Sequence, residues 1–391
     1  MRSLWTGIAS SLKSIVPKLP EERRILPTSG FQTIESDRLV EEEELPDYKA
    51  DRFYPVRLGD VFDDRYQVIA KLGFGSSSTI WLARDLKGHQ YVTLKVYLTA
   101  NTSPRGRNNI RRLLGSFRIT GPHGKHVVLV HQASQMSLRD MKLVFYPNGF
   151  DVDFVKGAII ELLEAVDFLH SHGKVVHTDI HPGNMLLGLY DNNILQNLEK
   201  MELTSPVPRK SVSESRTIYL SRLTKPKVGP MLLSDFGETR IGPGPHGGDI
   251  MPLEFRAPEV LLYVGWSYPV DIWSVGLTAW DLLGSKRLFT ARDEEDGKAY
   301  DAVHFAELIA ALGPPPAEFL AKNPERRADF WDERGEWLGL APIPDGRTLE
   351  SVENRLDDKK EFLRFIRRAL TWMPEQRATA RELLQDPWLT S

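Results

Sequence analysis

From Arg65 onward the chain alternates between short runs rich in β-branched and aromatic residues and longer runs with a helical period. Tyr66–Leu72 and Thr79–Ala83 flank Gly73-Phe74-Gly75-Ser76-Ser77-Ser78, which predicts two strands joined by a glycine-rich hairpin. Tyr91–Val96 is a third strand of this kind, with Lys95 set among apolar neighbours, and Ser116–Thr120 and Val127–Val130 supply two more. The period then lengthens. Val155, Ile159, Leu162, Val166 and Leu169 recur at alternating steps of four and three, which predicts one buried stripe on a helix ending near Gly173. Met231–Ser234 returns to a short strand, and helical cores follow at Val270–Leu283, Ala302–Leu312 and Glu361–Leu370.

Two stretches lack this patterning. Residues 1–50 are expected as a disordered N-terminal tail. Within them Met1–Pro20 carries Arg2, Lys13 and Lys18 with no acid, which fits either a weak mitochondrial transit peptide or a plain basic tail. Glu41–Glu44 is an acidic run, ordinarily solvated, although such a run also suits a basic partner. Residues 188–230 are polar with little periodicity after Leu198, and are expected as an insertion that is mobile in at least its second half.

Composition narrows the classes. At 391 residues, 41% hydrophobic and 26% charged, the chain is long enough for two sub-domains with substantial cores. No run approaches the roughly 18 apolar residues of a membrane span. A net charge of -3 argues against direct nucleic-acid binding. With no cysteine, disulfides, thiolate zinc sites and cysteine nucleophiles are excluded, and a reducing compartment, cytoplasm or nucleus, is expected.

The chemistry centres on Val175-Val176-His177-Thr178-Asp179-Ile180-His181-Pro182-Gly183-Asn184. In this H-x-D-x-x-x-x-N frame Asp179 is placed to accept the proton of an attacking hydroxyl as phosphate is transferred, and the Asn184 amide oxygen suits Mg²⁺. Taken alone, the loop also reads as a polar turn with an incidental Asp and Asn. Other motifs stand in order around it. The glycine loop offers backbone amides to a nucleotide's phosphates, Lys95 can neutralise the α- and β-phosphates, and Asp235-Phe236-Gly237 ends a strand with a second Mg²⁺ ligand.

The glycine loop, Lys95, His177-x-Asp179 with Asn184, Asp235-Phe236-Gly237, Ala257-Pro258-Glu259, Asp271-Ile272-Trp273-Ser274-x-Gly276 and Arg377 resemble a eukaryotic protein kinase over residues 53–389. More narrowly, Phe53–Asp60 leading to Arg65-Tyr66, Ser78 at the third glycine position, Thr178 in place of the usual arginine, and the insertion before Asp235 resemble a divergent, fungal-type serine/arginine-protein kinase. That resemblance implies an α+β, two-lobed fold, with a small β-rich lobe over 53–135 and a large helical lobe over 136–389. It implies an ATP- and Mg²⁺-dependent serine/threonine kinase that acts, as a monomer, on basic, Ser-rich proteins. Leu72, Gly73, Phe74, Gly75, Ser76, Ser77, Ser78, Thr79 and Ile80 would cap ATP, Lys95 would hold its phosphates, and Gln132 to Ser134 would bind adenine. Asp179 would be the base, Asn184 and Asp235 the metal ligands, and Glu259 and Arg377 a structural ion pair.

Three departures qualify the resemblance. No Asp or Glu occurs between Asp85 and Asp140, and Tyr97–Asn109 is too short and broken for the helix that normally brings a glutamate to the strand lysine. This favours a nucleotide-binding pseudokinase scaffold as the alternative. His181 stands where protein kinases mostly have lysine, as in small-molecule phosphotransferases of the aminoglycoside and choline kinase type, a second alternative that the Ala257-Pro258-Glu259 and Asp271–Ser274 motifs oppose. Between Thr239 and Glu259 there is no Ser, Thr or Tyr, so any activity is expected not to depend on phosphorylation of that loop.

Overall fold

The computed structural model describes residues 21–45, 48, 50, 53–75, 78–97, 109–122, 124–213, 216–293, 295–298 and 300–390. The expectations for the basic segment 1–20, for the broken segment 98–108, and for Ser76 and Ser77 concern residues outside these.

Strand-forming runs collect into one antiparallel sheet, as their alternation requires. It comprises β1 (Val61–Phe62), β2 (Tyr66–Gly75), β3 (Ser78–Asp85), β4 (Gln90–Tyr97), β5 (Leu113–Gly121) and β6 (Gly124–Gln132), in the order β1-β2-β3-β4-β6-β5. Ile80 pairs with Lys95 and Leu82 with Thr93, so these residues share one face, while Trp81, Leu94, Val96, Val128 and Val130 pack together on the other. The chain then becomes mostly helical. α1 (Leu138–Phe145) starts at Ser137, whose hydroxyl accepts from the backbone N–H of Asp140, and α2 (Val152–Phe168) starts at Asp151, which accepts from Phe154. The α2 stripe is buried as predicted, with Val155, Ile159, Leu162 and Val166 at 0% exposure.

Three two-stranded pairs carry the middle of the chain. β7 (Val175–Val176) and β8 (Met185–Leu187) flank the catalytic loop; α3 (Asn193–Thr204), β9 (Arg209–Ser213) and β10 (Arg216–Tyr219) form the insertion; β11 (Met231–Leu233) pairs with β8 and β12 (Arg240–Ile241) with β7. The large lobe continues through α4 (Pro258–Leu261), α5 (Pro269–Leu283), α6 (Asp301–Leu312), α7 (Ala317–Leu320), α8 (Pro324–Ala328), α9 (Leu349–Val352), α10 (Lys359–Ala369), α11 (Ala380–Leu383) and α12 (Pro387–Thr390). α5 is buried nearly all round and packs against α2 and α10. The expected two-lobed architecture is present. No helix among the described residues is long and apolar enough to cross a membrane.

Two expectations require correction. The insertion is folded and wraps the small sheet. Ile194, Leu195 and Leu198 of α3 pack with Ile69 and Leu82, while Val207 and Tyr219 join Trp81 and Leu94 on the opposite side. The acidic run is not merely solvated either. Glu42 is 5% exposed and pairs with Lys71, Glu43 binds Lys210 Nζ at 3.1 Å, and Glu41 accepts from Ser221. Further upstream, the N–H of Arg24 donates to Gln67 Oε1 at 2.7 Å, and Glu21 pairs with Arg84. Residues 21–45 therefore lie against the small lobe rather than free of it.

Candidate active site

The catalytic loop hangs from a buried carboxylate. Asp271 on α5, at 0% exposure, accepts the backbone N–H groups of His177 and Thr178 at 2.8 Å each, and lies 2.8 Å from His170 Nε2. These bonds hold Thr178 at φ 71, a left-handed conformation that a β-branched residue adopts only when its surroundings impose it. His177 Nδ1 accepts the N–H of Asp179 at 3.2 Å, so its proton resides on Nε2, which donates to the Ser234 carbonyl at 3.1 Å. Burial pushes the His177 pKa down, and a neutral imidazole thus links the catalytic loop to the strand before Asp235.

Asn184 Nδ2 donates to the Asp179 carbonyl at 2.8 Å and to its Oδ2 at 2.9 Å, which orients the carboxylate. With that nitrogen spent, Asn184 Oδ1 is the atom left for a cation. Burial would raise the Asp179 pKa, but the hydrogen bond and charge of His181, with His177 behind it, hold it below the usual carboxylate range. The group is therefore an anion near neutral pH, as a base requires.

His181 is itself fixed. Its Nδ1 accepts the Gly183 N–H at 3.0 Å, leaving Nε2 as the protonated nitrogen, 3.6 Å from Asp179 Oδ1. A Cβ on Gly183 would lie 2.6 Å from His181 Cε1, which explains the glycine. This histidine presents a ring N–H beside the base at the position where protein kinases mostly have lysine.

β11 pairs with β8 in register, and the Ser234 N–H donates to the Asn184 carbonyl at 2.9 Å, which brings Asp235 beside the loop. Lys95 Nζ lies 2.7 Å from Asp235 Oδ1. Burial again opposes ionisation of Asp235, and the Lys95 ammonium overrides it, so the pKa is lowered. Oxygens on Asn184 and Asp235 fit Mg²⁺, which takes few protein ligands and completes its shell with phosphate oxygens and water. No cluster of three or more His, Cys, Asp or Glu suited to a metal occurs among the described residues. ATP is accordingly expected to raise the melting temperature in Mg²⁺ and much less in EDTA. An equal shift in both would remove Asn184 and Asp235 as ligands.

The residues expected to cap a nucleotide divide by side. Leu72, Gly73, Phe74 and Gly75 end β2, and Ser78, Thr79 and Ile80 begin β3. Ile80 is on the lysine-bearing face, whereas the Thr79 hydroxyl accepts from Trp81 Nε1 at 2.9 Å on the other, leaving Thr79 only its backbone for a nucleotide. In the linker, the Gln132 carbonyl accepts from Arg111 Nε at 3.0 Å, and Ser134 is buried. Residues 109–111 were not singled out from sequence, yet they brace the site. Leu233 N–H donates to the Asn109 carbonyl at 2.7 Å, and Arg111 N–H to the Leu233 carbonyl at 2.8 Å, tying the linker to the strand that ends at Asp235. The apolar Ile110, 1% exposed, was their one sequence signal. Beside them, burial first and the Arg111 and Lys95 charges second push the His131 pKa down to about 3.

The activation segment is ordered by backbone bonds. Thr178 Oγ1 donates to the Glu238 carbonyl at 2.9 Å, at the position usually held by arginine. His246 and Trp266 exchange backbone bonds at 2.8 and 3.0 Å, Trp266 Nε1 donates to the Gly248 carbonyl at 3.0 Å, and Arg256 Nε reaches the Ile250 carbonyl at 3.2 Å. Nothing in this set calls for a phosphate. Treating purified protein with a broad phosphatase is expected to leave its initial rate within about two-fold. A large fall would show control of the loop from elsewhere.

A protein kinase domain model matches residues 223–389. A serine/threonine protein kinase of Aspergillus fumigatus is 40% identical over 95% of this chain and 96% of its own length. The serine/threonine-protein kinase SRPK of Physarum polycephalum is 28% identical over 89% of this chain and 91% of its own. Among solved structures, the crystal structure of a kinase domain superposes with a TM-score of 0.67 at 20% identity, covering 86% of this chain and 99% of that one.

Proposed function

This chain belongs to the eukaryotic protein kinase family, and from that premise we propose that it transfers the γ-phosphoryl group of ATP to serine or threonine in basic, Arg/Ser-rich proteins. The observation that carries the reading is the meeting of Asp179, Asn184, Lys95 and Asp235 in one site through the 2.9 Å Asn184–Asp179 and 2.7 Å Lys95–Asp235 contacts. Asp179 accepts the hydroxyl proton of the attacking residue, held in aim by Asn184. Lys95 neutralises phosphate oxygens. Asn184 and Asp235 would hold Mg²⁺, which would supply positive charge to neutralise that developing on the phosphates. His181 contributes an N–H donor at the base in place of a lysine.

The substrate class rests on the SRPK-like relative and on local charge. Glu238 and Asp249 have side chains 72% and 58% exposed and pair only at 3.9 Å, with Arg240 and Arg256, which leaves both carboxylates open to basic residues flanking the acceptor. The acidic runs Asp293-Glu294-Glu295-Asp296 and Asp332-Glu333 of the sequence give weaker support, because Asp293 and Asp332 accept N–H groups of their own turns. A peptide library is expected to show at least about ten-fold higher kcat/KM for Ser beside Arg, a difference of roughly 1.4 kcal/mol. A preference for acidic or proline-directed peptides would overturn this substrate class.

One observation favours a second reading. With no carboxylate between Asp85 and Asp140 in the sequence, the usual helix glutamate is missing, and Lys95 sits on Asp235. A nucleotide-binding scaffold would have this arrangement and would fail to turn over.

A further inference from the structure

The acidic turn Glu41–Glu44 lies on the face of the small sheet opposite Lys95. Each of its first three carboxylates holds a different part of the chain. Glu42 pairs with Lys71, which is 1% exposed and lies 5.5 Å from the Phe74 ring and 5.9 Å from the Trp81 ring, directly behind the glycine-rich hairpin. Glu43 binds Lys210 on β9, whose Nζ also donates to the Arg38 carbonyl at 2.7 Å. Glu41 accepts from the Ser221 backbone N–H at 2.7 Å and from Ser221 Oγ at 3.0 Å, and stands 3.5 Å from Lys71 Nζ. One serine hydroxyl thus shares its carboxylate with the lysine behind the nucleotide loop.

We propose that Ser221 is a phosphorylation site whose modification opens this clasp and frees residues 38–45 and the insertion from the glycine-rich hairpin. Ser221 is half-buried at the end of the insertion hairpin and is followed by Arg222, a Ser–Arg pair of the substrate class proposed above, on which this part of the inference rests. In the transfer, Ser221 Oγ of one copy bonds to the γ-phosphorus of ATP as the bond to the β–γ bridging oxygen breaks. The hydroxyl proton passes to Asp179 of a second copy, and ADP leaves.

The electrostatic outcome follows from the surroundings. Phosphorylation removes the hydroxyl donor and sets about two negative charges against Glu41. The neighbouring cations already face carboxylates: Lys71 is held by Glu41 and Glu42, Lys210 by Glu43, and Arg222 bonds Glu202 at 2.9 and 3.1 Å. Repulsion is therefore not offset by an unused arginine in this set, and the acidic turn is expelled. Lys71 then loses its carboxylates behind Phe74, which unsettles the hairpin that covers ATP.

The test uses the full chain carrying Asp179→Asn, with phosphoserine installed at position 221 by codon reassignment, beside its unmodified counterpart and Ser221→Ala. Hydrogen exchange is expected to be about ten-fold or more faster at amides 38–45 and 216–222 only in the phosphorylated protein, with α5 and α10 unchanged. Ser221→Ala is expected to keep the clasp, because its backbone N–H still reaches Glu41. Equal exchange in the phosphorylated and unmodified proteins would overturn the clasp whatever the enzyme phosphorylates. In parallel, wild-type enzyme with Mg²⁺-ATP is offered the Asp179→Asn chain, and phosphosites are mapped by mass spectrometry. Phosphate at Ser221 supports the proposal. Ready phosphorylation of Arg/Ser peptides without any at Ser221 would overturn the site while leaving the proposed substrate class standing.

Discussion

Asp179→Asn is expected to lower the rate of phosphoryl transfer about a hundred- to ten-thousand-fold, the usual contribution of a positioned general base. ATP binding should stay within about two-fold, because the contacts assigned to nucleotide and metal lie on Lys95, Asn184 and Asp235 rather than on this side chain. The replacement is nearly isosteric, and its oxygen can still accept from Asn184 Nδ2, which now bonds Asp179 Oδ2 at 2.9 Å. What disappears is a carboxylate kept ionised, against its own burial, by the His181 hydrogen bond and charge. Single-turnover assays with Mg²⁺-ATP and an Arg/Ser peptide, run beside nucleotide titrations, separate the two quantities. Equal product from wild type and variant would favour the scaffold reading, in which Lys95 resting on Asp235 is a binding arrangement without catalysis.

Arg377→Leu is expected to cost about 3–5 kcal/mol of stability, the range for breaking a buried pair by removing one partner. Arg377 and Glu259 are both fully buried in their side chains and joined by two bonds of 2.5 and 2.6 Å. The guanidinium also reaches the carbonyls of Pro269 and Thr371 at 3.1 and 3.0 Å and lies 5.0 Å from the Trp273 ring. Its loss strands the buried Glu259 carboxylate and removes the donor from two part-buried backbone carbonyls. Against a typical domain stability of about 5–15 kcal/mol, that is a large fraction, so denaturant midpoints should fall sharply. The double variant Glu259→Leu/Arg377→Leu is expected to recover part of the loss, since no buried charge then stands alone. A denaturation midpoint for Arg377→Leu equal to wild type would show that the pair does not hold the large lobe.

Much of the site was legible because its signals are local. The catalytic loop carries Asp179 and Asn184 five residues apart, and a hydrogen bond of 2.8 Å from the Asn184 amide to the Asp179 carbonyl is a consequence of that spacing. Strand alternation marked β3 and β4, the register that sets Ile80 opposite Lys95 came from the fold, and the four-three stripe of α2 is wholly buried. The tautomers of His177 and His181 were not legible. Each is set by a partner, Ser234 in one case and the Gly183 amide in the other, whose position depends on how the chain turns.

The sequence alone determined the order of the motifs, the strands and main helices, and the residues that meet around Asp179 and Asp235. Only the tertiary structure decided the fate of residues 21–45 and of the insertion, because their buried positions include charged residues. Glu199 and Glu202 of α3 are 6% and 0% exposed, and Glu42 is 5% exposed, where a periodicity reading sends every glutamate to solvent. Their partners are Arg24 and Arg84, Arg222, and Lys71, up to 175 residues away in the chain for Glu199 and Arg24. These carboxylates become core residues because the fold brings each of them a cation, and that pairing is not a property of the local stretch.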